Sequence, residues 1–173
     1  VTDFEFGIKM NYKNLLVDAN IYDMEFRNEI AAIGQLSYIG LPLRKNVSAS
    51  YRRGFEMSLS YQPLEQLFLK TTGNFSDNRI ANYTTDYDSI TYHNMQPLLT
   101  PTIIFNQSVE YNLNKWSGVE ISGRYMSTSF LDNTDNAGFT VPASWIMNAS
   151  LHFQYSSSDQ ITFMINKLLN TKY

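Results

Sequence analysis

The sequence lacks cysteine, is poor in charged residues and has no long apolar run, and each absence narrows the possible folds. Its 173 residues contain no cysteine, so neither a disulfide framework nor a thiolate nucleophile is available. Charged residues make up 17% of the chain, against about 25% in typical soluble domains. The longest apolar runs are only a few residues long, as at 30–33, whereas a transmembrane helix needs about 20. A transmembrane helix is therefore excluded.

The sequence also lacks the residues of a catalytic or metal centre. It has two histidines, with no His-x-x-x-His pair, no glycine-rich phosphate loop and no visible nucleophile–base pair. We therefore expect no enzyme activity, no cofactor and no metal site. The net charge of −3, without a basic patch, argues against nucleic acid as a partner.

One loop partly matches a calcium-binding loop. Asp132, Thr134 and Asn136 have the alternate spacing of calcium ligands, but the glycine at the sixth position and the distal glutamate are missing. We therefore predict a turn that is capped by Asn and Asp side chains.

What the sequence does have is strict alternation of apolar and polar residues. In 55–61 one face carries Phe55, Met57, Leu59 and Tyr61, and the other carries Glu56, Ser58 and Ser60. A period of two predicts a β-strand, because successive side chains point to opposite faces. Pro63 then marks a turn, since proline cannot continue a ladder, and alternation resumes at Leu67. The stretch 53–75 is thus predicted to be a hairpin with strands of about 9–11 residues, enough to cross a bilayer when tilted.

The rest of the chain repeats this hairpin. Further strands are predicted at 2–12, 15–26, 102–111, 116–127, 145–155 and 161–168. Short turns join them in pairs, whereas 27–51, 77–101 and 129–144 have no sustained period and read as long loops. Eight antiparallel strands, with short turns on one side and long loops on the other, are typical of outer-membrane barrels. We therefore predict an all-β transmembrane β-barrel segment.

The predicted orientation makes this segment part of a larger barrel. If the short turns are periplasmic, the first strand runs downward and the eighth upward, so both ends of the chain lie on the extracellular side. A complete single-chain barrel has an even number of strands with short turns in the periplasm, and we expect its two termini there as well. We therefore expect further strands beyond both ends.

Aromatic and polar residues mark the predicted surfaces of the barrel. Four tyrosines each end a strand just before a short turn, as in the interfacial girdle of a membrane barrel: Tyr12, Tyr61, Tyr111 and Tyr155. Six polar residues are predicted to face the lumen: Glu56, Lys70, Glu110, Glu120, Arg124 and His152. We expect His152 to be hydrogen-bonded to its neighbours, because a single imidazole cannot hold a metal unaided.

The second long loop holds the candidate ligand contacts. It contains Tyr83, Tyr87, Tyr92 and His93, and a loop rich in tyrosine can stack on a siderophore, a haem or a sugar. The alternative is that these residues are ordinary loop and girdle aromatics.

Several motifs in this order resemble the TonB-dependent outer-membrane receptors. Arg53-Gly54-Phe55-Glu56 followed by Tyr61-Gln62-Pro63 resembles a hairpin of that family. Three further stretches are similar to later parts of the same barrels: Thr100-Pro101 before a strand, 131–134 in a loop, and 165–173, which contains Asn166-Lys167-Leu168. Lys167 and Leu169 stand where the family usually has Asn and Phe. The style is that of Bacteroidetes receptors.

The resemblance implies energised uptake of a scarce ligand across the outer membrane of a Gram-negative bacterium. Ferric siderophores, haem, cobalamin and oligosaccharides are the ligand classes that it suggests. The family's barrel of about 22 strands is occluded by an N-terminal plug, on which the TonB complex pulls. We expect residues 1–173 to be a single segment of that barrel, without the plug and the final strand. The implied partners are the outer-membrane bilayer, the receptor's own plug and remaining strands, the TonB complex and a surface lipoprotein that acts as a lid.

The resemblance also bears on the polar residues of the strands. Glu56, Lys70, Glu110, Glu120 and Arg124 either form ionic pairs between strands or contact the plug. In a wet lumen each such pair contributes only about 0–1 kcal/mol.

Two other classes of protein share the pattern of alternation. A small complete eight-stranded outer-membrane barrel and a soluble β-sandwich, each serving in binding or adhesion, are the alternatives to a transporter. A sandwich would turn its apolar faces inward and refold in buffer, whereas a slice of a larger barrel would aggregate without detergent because its edges are open. Long loops are unusual in a compact sandwich, and a propeller needs four strands in each repeat.

Overall fold

The computed structural model describes residues 1–86 and 88–170, and this part of the chain consists of β-strands and connecting turns. Its strands are β1 (Thr2–Tyr12), β2 (Leu15–Leu36), β3 (Pro42–Leu64), β4 (Leu67–Thr84), β5 (Thr91–Met95), β6 (Ile103–Asn114), β7 (Ser117–Met126), β8 (Ser129–Phe130), β9 (Thr140–Val141), β10 (Ser144–Gln154) and β11 (Gln160–Ile165). Among the described residues, no helix is long and apolar enough to cross a membrane.

Nine of these strands form one antiparallel sheet, and eight of them follow one another across it. The order is β1-β2-β3-β4-β6-β7-β10-β11, with β5 paired to the far end of β4 and with β8 and β9 as a separate small ribbon. The predicted antiparallel, eight-stranded architecture is thus confirmed. Within the described residues β1 and β11 each pair on one side only, so the sheet has two edges. The strands of residues 1–86 and 88–170 form no two-layered sandwich.

The register keeps apolar and polar residues on opposite faces across the whole sheet. Met57 lies opposite Ala19 and Gly73, whereas its neighbour Glu56 lies opposite Asn20 and Asn74. We call these the apolar face and the polar face. In the part of the chain that the structure describes, no second layer covers the apolar face: Phe6, Ile8 and Phe163 are 65%, 59% and 61% exposed. Such exposure of large apolar side chains is expected only where another apolar medium covers them.

The register also gives the tilt of the strands. Each residue of a strand has a directly opposite partner in the next strand. Starting from Tyr12 in β1 and passing from partner to partner across six neighbouring strands, one reaches Ala149 in β10. The tyrosine beside the short turn there, Tyr155, lies six residues further along the chain. If Tyr12 and Tyr155 lie at one level, six residues of about 3.3 Å over six spacings of about 4.8 Å correspond to a tilt of about 35°. Strands of membrane barrels tilt by about 35–45°.

Strands β2, β3 and β4 are longer than the alternation predicts. The prediction of a loop at 27–51 is wrong, because β2 continues to Leu36 and β3 begins at Pro42. The alternation changes phase at Asn28, whose φ is 55°. Before Asn28, odd-numbered residues such as Ala19 lie on the apolar face. Beyond Asn28, the odd-numbered residues Ala31 and Ile33 are instead buried in a core on the side of the polar face. A single residue in the left-handed region thus breaks the period without ending the strand.

The second predicted loop, 77–101, is also partly sheet. Strand β4 continues to Thr84, and β5 pairs with it from Ile80 opposite Met95 to Thr84 opposite Thr91. We call the end of the sheet with the long connections the distal end, and the end with the short turns the proximal end. The sheet therefore extends well beyond the apolar face at its distal end.

A small hydrophobic core stabilises this distal extension. It consists of Ala31, Ile33, Val47, Ile80 and Tyr83, with Tyr92 packed against it. Ile80 has the same parity in β4 as Asn78 and Asn74, so this distal core lies on the side of the polar face. The core holds the extended strands together where no lipid or second sheet would cover them.

Candidate functional site

Three cavities lie along the polar face, and the largest of them lies nearest the distal loops. Its volume is about 730 Å³. Strands β2, β3, β4 and β6 supply its polar wall, which comprises Asp18, Asn20, Glu56, Ser58, Thr72, Asn74, Ser76, Asn78 and Asn106. Tyr22, Leu99, Pro101 and Ile104 add apolar surface. The wall thus contains carboxylates, carboxamides and hydroxyls, and none of the described Lys, Arg and His residues lines it.

Hydrogen bonds between neighbouring strands orient this wall. Asn74 Nδ2 donates to Glu56 Oε1 over 2.8 Å, and Asn106 Nδ2 donates to Thr72 Oγ1 over 2.9 Å. Asn78 is 7% exposed. Among the described residues, its Oδ1 is buried without a hydrogen-bond partner, which costs about 1–3 kcal/mol for a polar atom. The bonds of Asn74 and Asn106 fix the orientation of their carboxamides in the wall.

Residues 98–101 form a strap that bounds this first cavity. Leu99, Thr100 and Pro101 line it, and the strap is held from outside rather than by the wall. Leu98 N donates to Asn133 Oδ1 over 2.9 Å, and Leu99 N donates to the carbonyl of Phe130 over 2.8 Å. The position of the strap thus depends on the loop between β7 and β10.

Asn133 and Asp135 clamp three distal segments together. Asn133 is fully buried, and its Nδ2 donates to the carbonyl of Ala32 in β2 over 2.8 Å. Asp135 Oδ1 accepts from Gln96 N over 2.9 Å, and its Oδ2 lies 3.6 Å from Arg79 Nη1. This loop clamp joins β2, the strap and the loop after β8. No sequence pattern indicated it, since its partners are far apart in the chain.

Glycine is required where this loop meets β2. Gly34 has a φ of 77°, and a Cβ placed there would lie 2.5 Å from the carbonyl oxygen of Leu131. Both the backbone conformation and the close approach exclude a larger residue. The predicted capping of the same loop is confirmed, because Asp132 Oδ1 accepts from Thr134 N and Asn136 Oδ1 accepts from Gly138 N.

The polar residues that the sequence predicts to face the lumen line the cavities of the polar face. Glu56 belongs to the first cavity, and Lys70, Glu110 and Glu120 line the second, of about 610 Å³. Arg124 lines the third. Glu110 and Glu120 lie directly opposite each other, an arrangement that is unfavourable without a cation. The expected ionic pairs between strands are not found among these five residues in the described part of the chain.

His152 lies on the polar face over a glycine. A Cβ on Gly118 would lie 2.5 Å from His152 Cε1 and 2.7 Å from Asn112 Oδ1, so the imidazole occupies the space above that glycine beside the Asn112 carboxamide. Within the described ranges, no cluster of three or more His, Cys, Asp or Glu residues could hold a metal ion.

The candidate ligand contacts of the second loop do not share one environment. Tyr83 is 4% exposed in the distal core and Tyr92 packs against it, so the structure gives both a packing role. His93 is exposed, with its Nδ1 2.7 Å from Asn82 Oδ1. Tyr87 lies outside the described residues. Contact with a ligand stays a prediction for all four residues.

A network of charges borders the apolar face at its distal edge. Arg53 Nε lies 2.9 Å from Asp23 Oδ1, and the Arg53 guanidinium lies 4.3 Å above the Tyr51 ring. Tyr51 donates to Asp77 over 3.1 Å, and Arg79 Nε donates to the same carboxylate over 2.7 Å. We call these five residues the outer charge network.

The outer charge network and the proximal tyrosines delimit the apolar face. Arg53 lies eight residues before Tyr61 in β3. At about 3.3 Å per residue and a tilt of about 35°, this separation is about 22 Å along the barrel axis, close to the about 25 Å of the lipid-facing band in membrane barrels. Tyr12, Tyr61, Tyr111 and Tyr155 are all exposed. Their role as a girdle stays a prediction.

One polar pair interrupts the apolar face. Gln107 breaks the alternation of β6 and lies directly opposite Thr71. Thr71 Oγ1 and Gln107 Oε1 are 2.6 Å apart, and Gln107 Nε2 donates to the carbonyl of Ser108 over 3.0 Å. Each side chain therefore satisfies polar groups of its neighbours, which lowers the cost of placing them in an apolar medium.

Tilted antiparallel strands, an exposed apolar band and a polar inner wall together define the wall of a transmembrane β-barrel. The model of the family "TonB dependent receptor-like, beta-barrel" matches residues 1–166. The chain therefore belongs to the TonB-dependent receptor-like β-barrel family. This family consists of transporters and not of enzymes, in agreement with the expectation drawn from the sequence.

Solved structures with the same fold are receptors and transporters. The siderophore receptor PiuA from Acinetobacter baumannii is similar with a TM-score of 0.75 and 18% identity, over 98% of this chain and 24% of that chain. The ferric-catecholate import receptor Fiu from E. coli K12 has a TM-score of 0.72 and 17% identity, over 99% and 23%. The copper transporter OprC has a TM-score of 0.74 and 12% identity, over 99% and 25%.

These similarities establish the fold, at identities too low to transfer a ligand. The chain spans about a quarter of the length of these three proteins. No curated protein matches the sequence significantly. Homologous TonB-dependent receptors are outer-membrane proteins of Gram-negative bacteria. The likeness to Bacteroidetes receptors stays a prediction.

Proposed function

We propose that this chain is the barrel wall of a receptor that imports a scarce ligand across the outer membrane of a Gram-negative bacterium, with energy supplied through TonB. A ferric siderophore, haem, cobalamin or an oligosaccharide is the ligand class. The observation that carries the proposal is the polar wall with its first cavity beside the clamped distal loops, in a chain of this family. In such a barrel this cavity faces the route that a ligand takes inward.

The polar wall supports a second partner within the same protein. Glu110 and Glu120 lie opposite each other on the wall of the second cavity, which Lys13 and Lys70 also line, and like charges directly opposite each other are destabilising. We assign this acidic pair, with Lys70, to contact with the receptor's own plug domain. Residues 1–173 are then one segment of the barrel domain, and the plug and the final strand belong to the rest of the receptor.

The turn between β2 and β3 supports a surface partner. Its apolar residues are strongly exposed: Leu36, Tyr38, Ile39 and Leu41. Strand β3 begins at Pro42, 11 residues beyond Arg53, which places the turn about 30 Å above the apolar band at about 3.3 Å per residue and a 35° tilt. Lipid does not reach that height, so another protein surface covers these side chains. A surface lipoprotein that acts as a lid is the partner that fits this position.

The import function is tested in cells that lack the full receptor. Growth is measured with ferric siderophore, haem or cobalamin at limiting concentration, or with a neutral oligosaccharide as the sole carbon source. We expect growth on one of these to be lost on deletion of the receptor and restored by the full-length gene. A receptor without its TonB-interacting segment should not restore it. Restoration by that truncated receptor would contradict energised transport.

A further inference from the structure

The charge of the first cavity separates the possible ligands into classes. Its lining includes the carboxylates of Asp18 and Glu56 and, among the described residues, no cationic side chain. The neighbouring cations lie outside the lining: Lys9 is 3.6 Å from Asp18 and 82% exposed, and Lys70 and Arg124 line the third cavity. A concave surface lined by one sign of charge concentrates the opposite sign and repels its own. An anionic ferric catecholate or the propionates of haem would be disfavoured at this wall.

The dominant groups of the wall are neutral and bind hydroxyls well. Four carboxamides line it, from Asn20, Asn74, Asn78 and Asn106, together with hydroxyls of serine and threonine. A carboxamide both donates and accepts, and so does the hydroxyl of a ligand. Such a wall can therefore satisfy a molecule that presents many hydroxyls in several directions. A simple cation would use only the acceptors.

The cavity also has an apolar side that complements this polar wall. Tyr22, Leu99, Pro101 and Ile104 line it, and two of them belong to the strap. A pyranose ring has hydroxyls around its edge and C–H groups on its faces. An apolar surface opposite convergent polar groups is the usual composition of a small-molecule site, and the volume falls in the usual range of about 300–1,000 Å³.

We propose that the first cavity is a subsite for a neutral, polyhydroxylated ligand of the oligosaccharide class. This assignment rests on the proposed import function and selects one ligand class within it. Carboxamides of Asn20, Asn74 and Asn106 bind ring hydroxyls, and Tyr22 and the strap pack on a ring face.

The test uses the purified full-length receptor with its plug, in detergent. Isothermal titration calorimetry is run with a panel of neutral oligosaccharides of the gluco-, xylo-, manno- and fructo- series, and with ferric enterobactin and haem as anionic probes. We expect at least one neutral oligosaccharide to bind and the anions not to bind. Binding of an anionic probe alone, or of none of the oligosaccharides, would overturn the assignment.

Variants locate the binding to this cavity. Asn74→Leu and Asn20→Leu should each weaken the oligosaccharide by about tenfold or more, because each removes a hydrogen-bonding pair from the wall. Asn148→Leu is the matched control, since Asn148 lies on the same face but lines the third cavity. Heat-modifiable migration on gels verifies that each barrel is folded. Unchanged affinity in both cavity variants would place the ligand elsewhere and refute the subsite.

The experiments distinguish a wrong ligand class from a wrong import function. TonB-dependent import of an anionic siderophore or haem, without oligosaccharide binding, would leave the import function standing and overturn the subsite. Oligosaccharide binding by the purified receptor, with growth that does not depend on TonB, would support the subsite and contradict energised import.

Discussion

At the scale of single residues, the alternation in β3 predicts opposite consequences for neighbouring positions. Leu59 lies on the apolar face opposite Val17 and Thr71, two residues from Tyr61 and six from Arg53. We expect Leu59→Arg to lower the free energy of unfolding in lipid by about 1–3 kcal/mol, because its charge would enter hydrocarbon between the interface and the midplane. Urea titration of the full receptor refolded into vesicles measures this loss.

The adjacent residue supplies the control. Ser58 points to the polar face and lines the first cavity, where an arginine would remain hydrated. Ser58→Arg should therefore cost much less than Leu59→Arg. Equal stability losses in the two variants, or none in Leu59→Arg, would show that the assignment of the apolar face to lipid is wrong.

At the scale of strands and loops, the sequence predicts the part of the fold that a bilayer imposes. Near the membrane one face of each strand must be apolar, so the period of two is visible, as from Phe55 to Tyr61, and the short turns follow from it. Beyond Asn28 no such constraint acts, and the burial of Ala31 and Ile33 follows from packing against Ile80 in another hairpin. Strand there could not be inferred from a local pattern.

The candidate site was predictable to a similar extent. The alternation of odd and even positions along each strand was enough to place Glu56 and its neighbours on the polar face. Parity could not show that Tyr83 is buried in the distal core, nor that the strap at 98–101 borders the first cavity. Those facts depend on contacts between loops that are distant in sequence, such as the bond from Asn133 to Ala32.

The loop clamp gives a prediction at this scale. Asn133→Leu leaves the amide of Leu98 and the carbonyl of Ala32 without their partners, at a cost of about 1–3 kcal/mol for each buried group. We expect hydrogen exchange of the full receptor to become faster in 96–101, while exchange in the proximal half of the barrel stays unchanged.

A neighbouring variant controls for the loss of polarity in this loop. Asn136→Leu changes an exposed cap whose Oδ1 accepts from Gly138 within its own loop, so exchange of the strap should stay as in the parent. Unaltered exchange of the strap in Asn133→Leu would show that the clamp does not hold it.

At the scale of the whole molecule, the open sheet determines how the segment behaves alone. Strands β1 and β11 each have an unpaired edge in the described part of the chain, and the apolar face is exposed. Unpaired edges and large apolar surfaces promote association. We therefore expect residues 1–173, expressed alone and diluted from urea into buffer, to aggregate, as measured by light scattering.

Detergent and the full chain are the comparisons for this experiment. The full receptor refolded in detergent should remain monodisperse, because the remaining strands pair with both edges. A monodisperse, cooperatively folded segment in plain buffer would contradict the barrel-wall architecture. The intact mass of the polypeptide from its native membrane should be several times that of the 173-residue chain.

The loop clamp also has a consequence for the order of events in time. Each hairpin joins residues that are close in the chain, so its closure costs little entropy and is fast. Asn133 and Ala32 are separated by 101 residues, and their bond can form only after the intervening hairpins are in place. The clamp should thus be the last part of this wall to assemble. Because it consists of a few side-chain bonds, it can also open first, which frees the strap while every strand of the membrane wall stays paired.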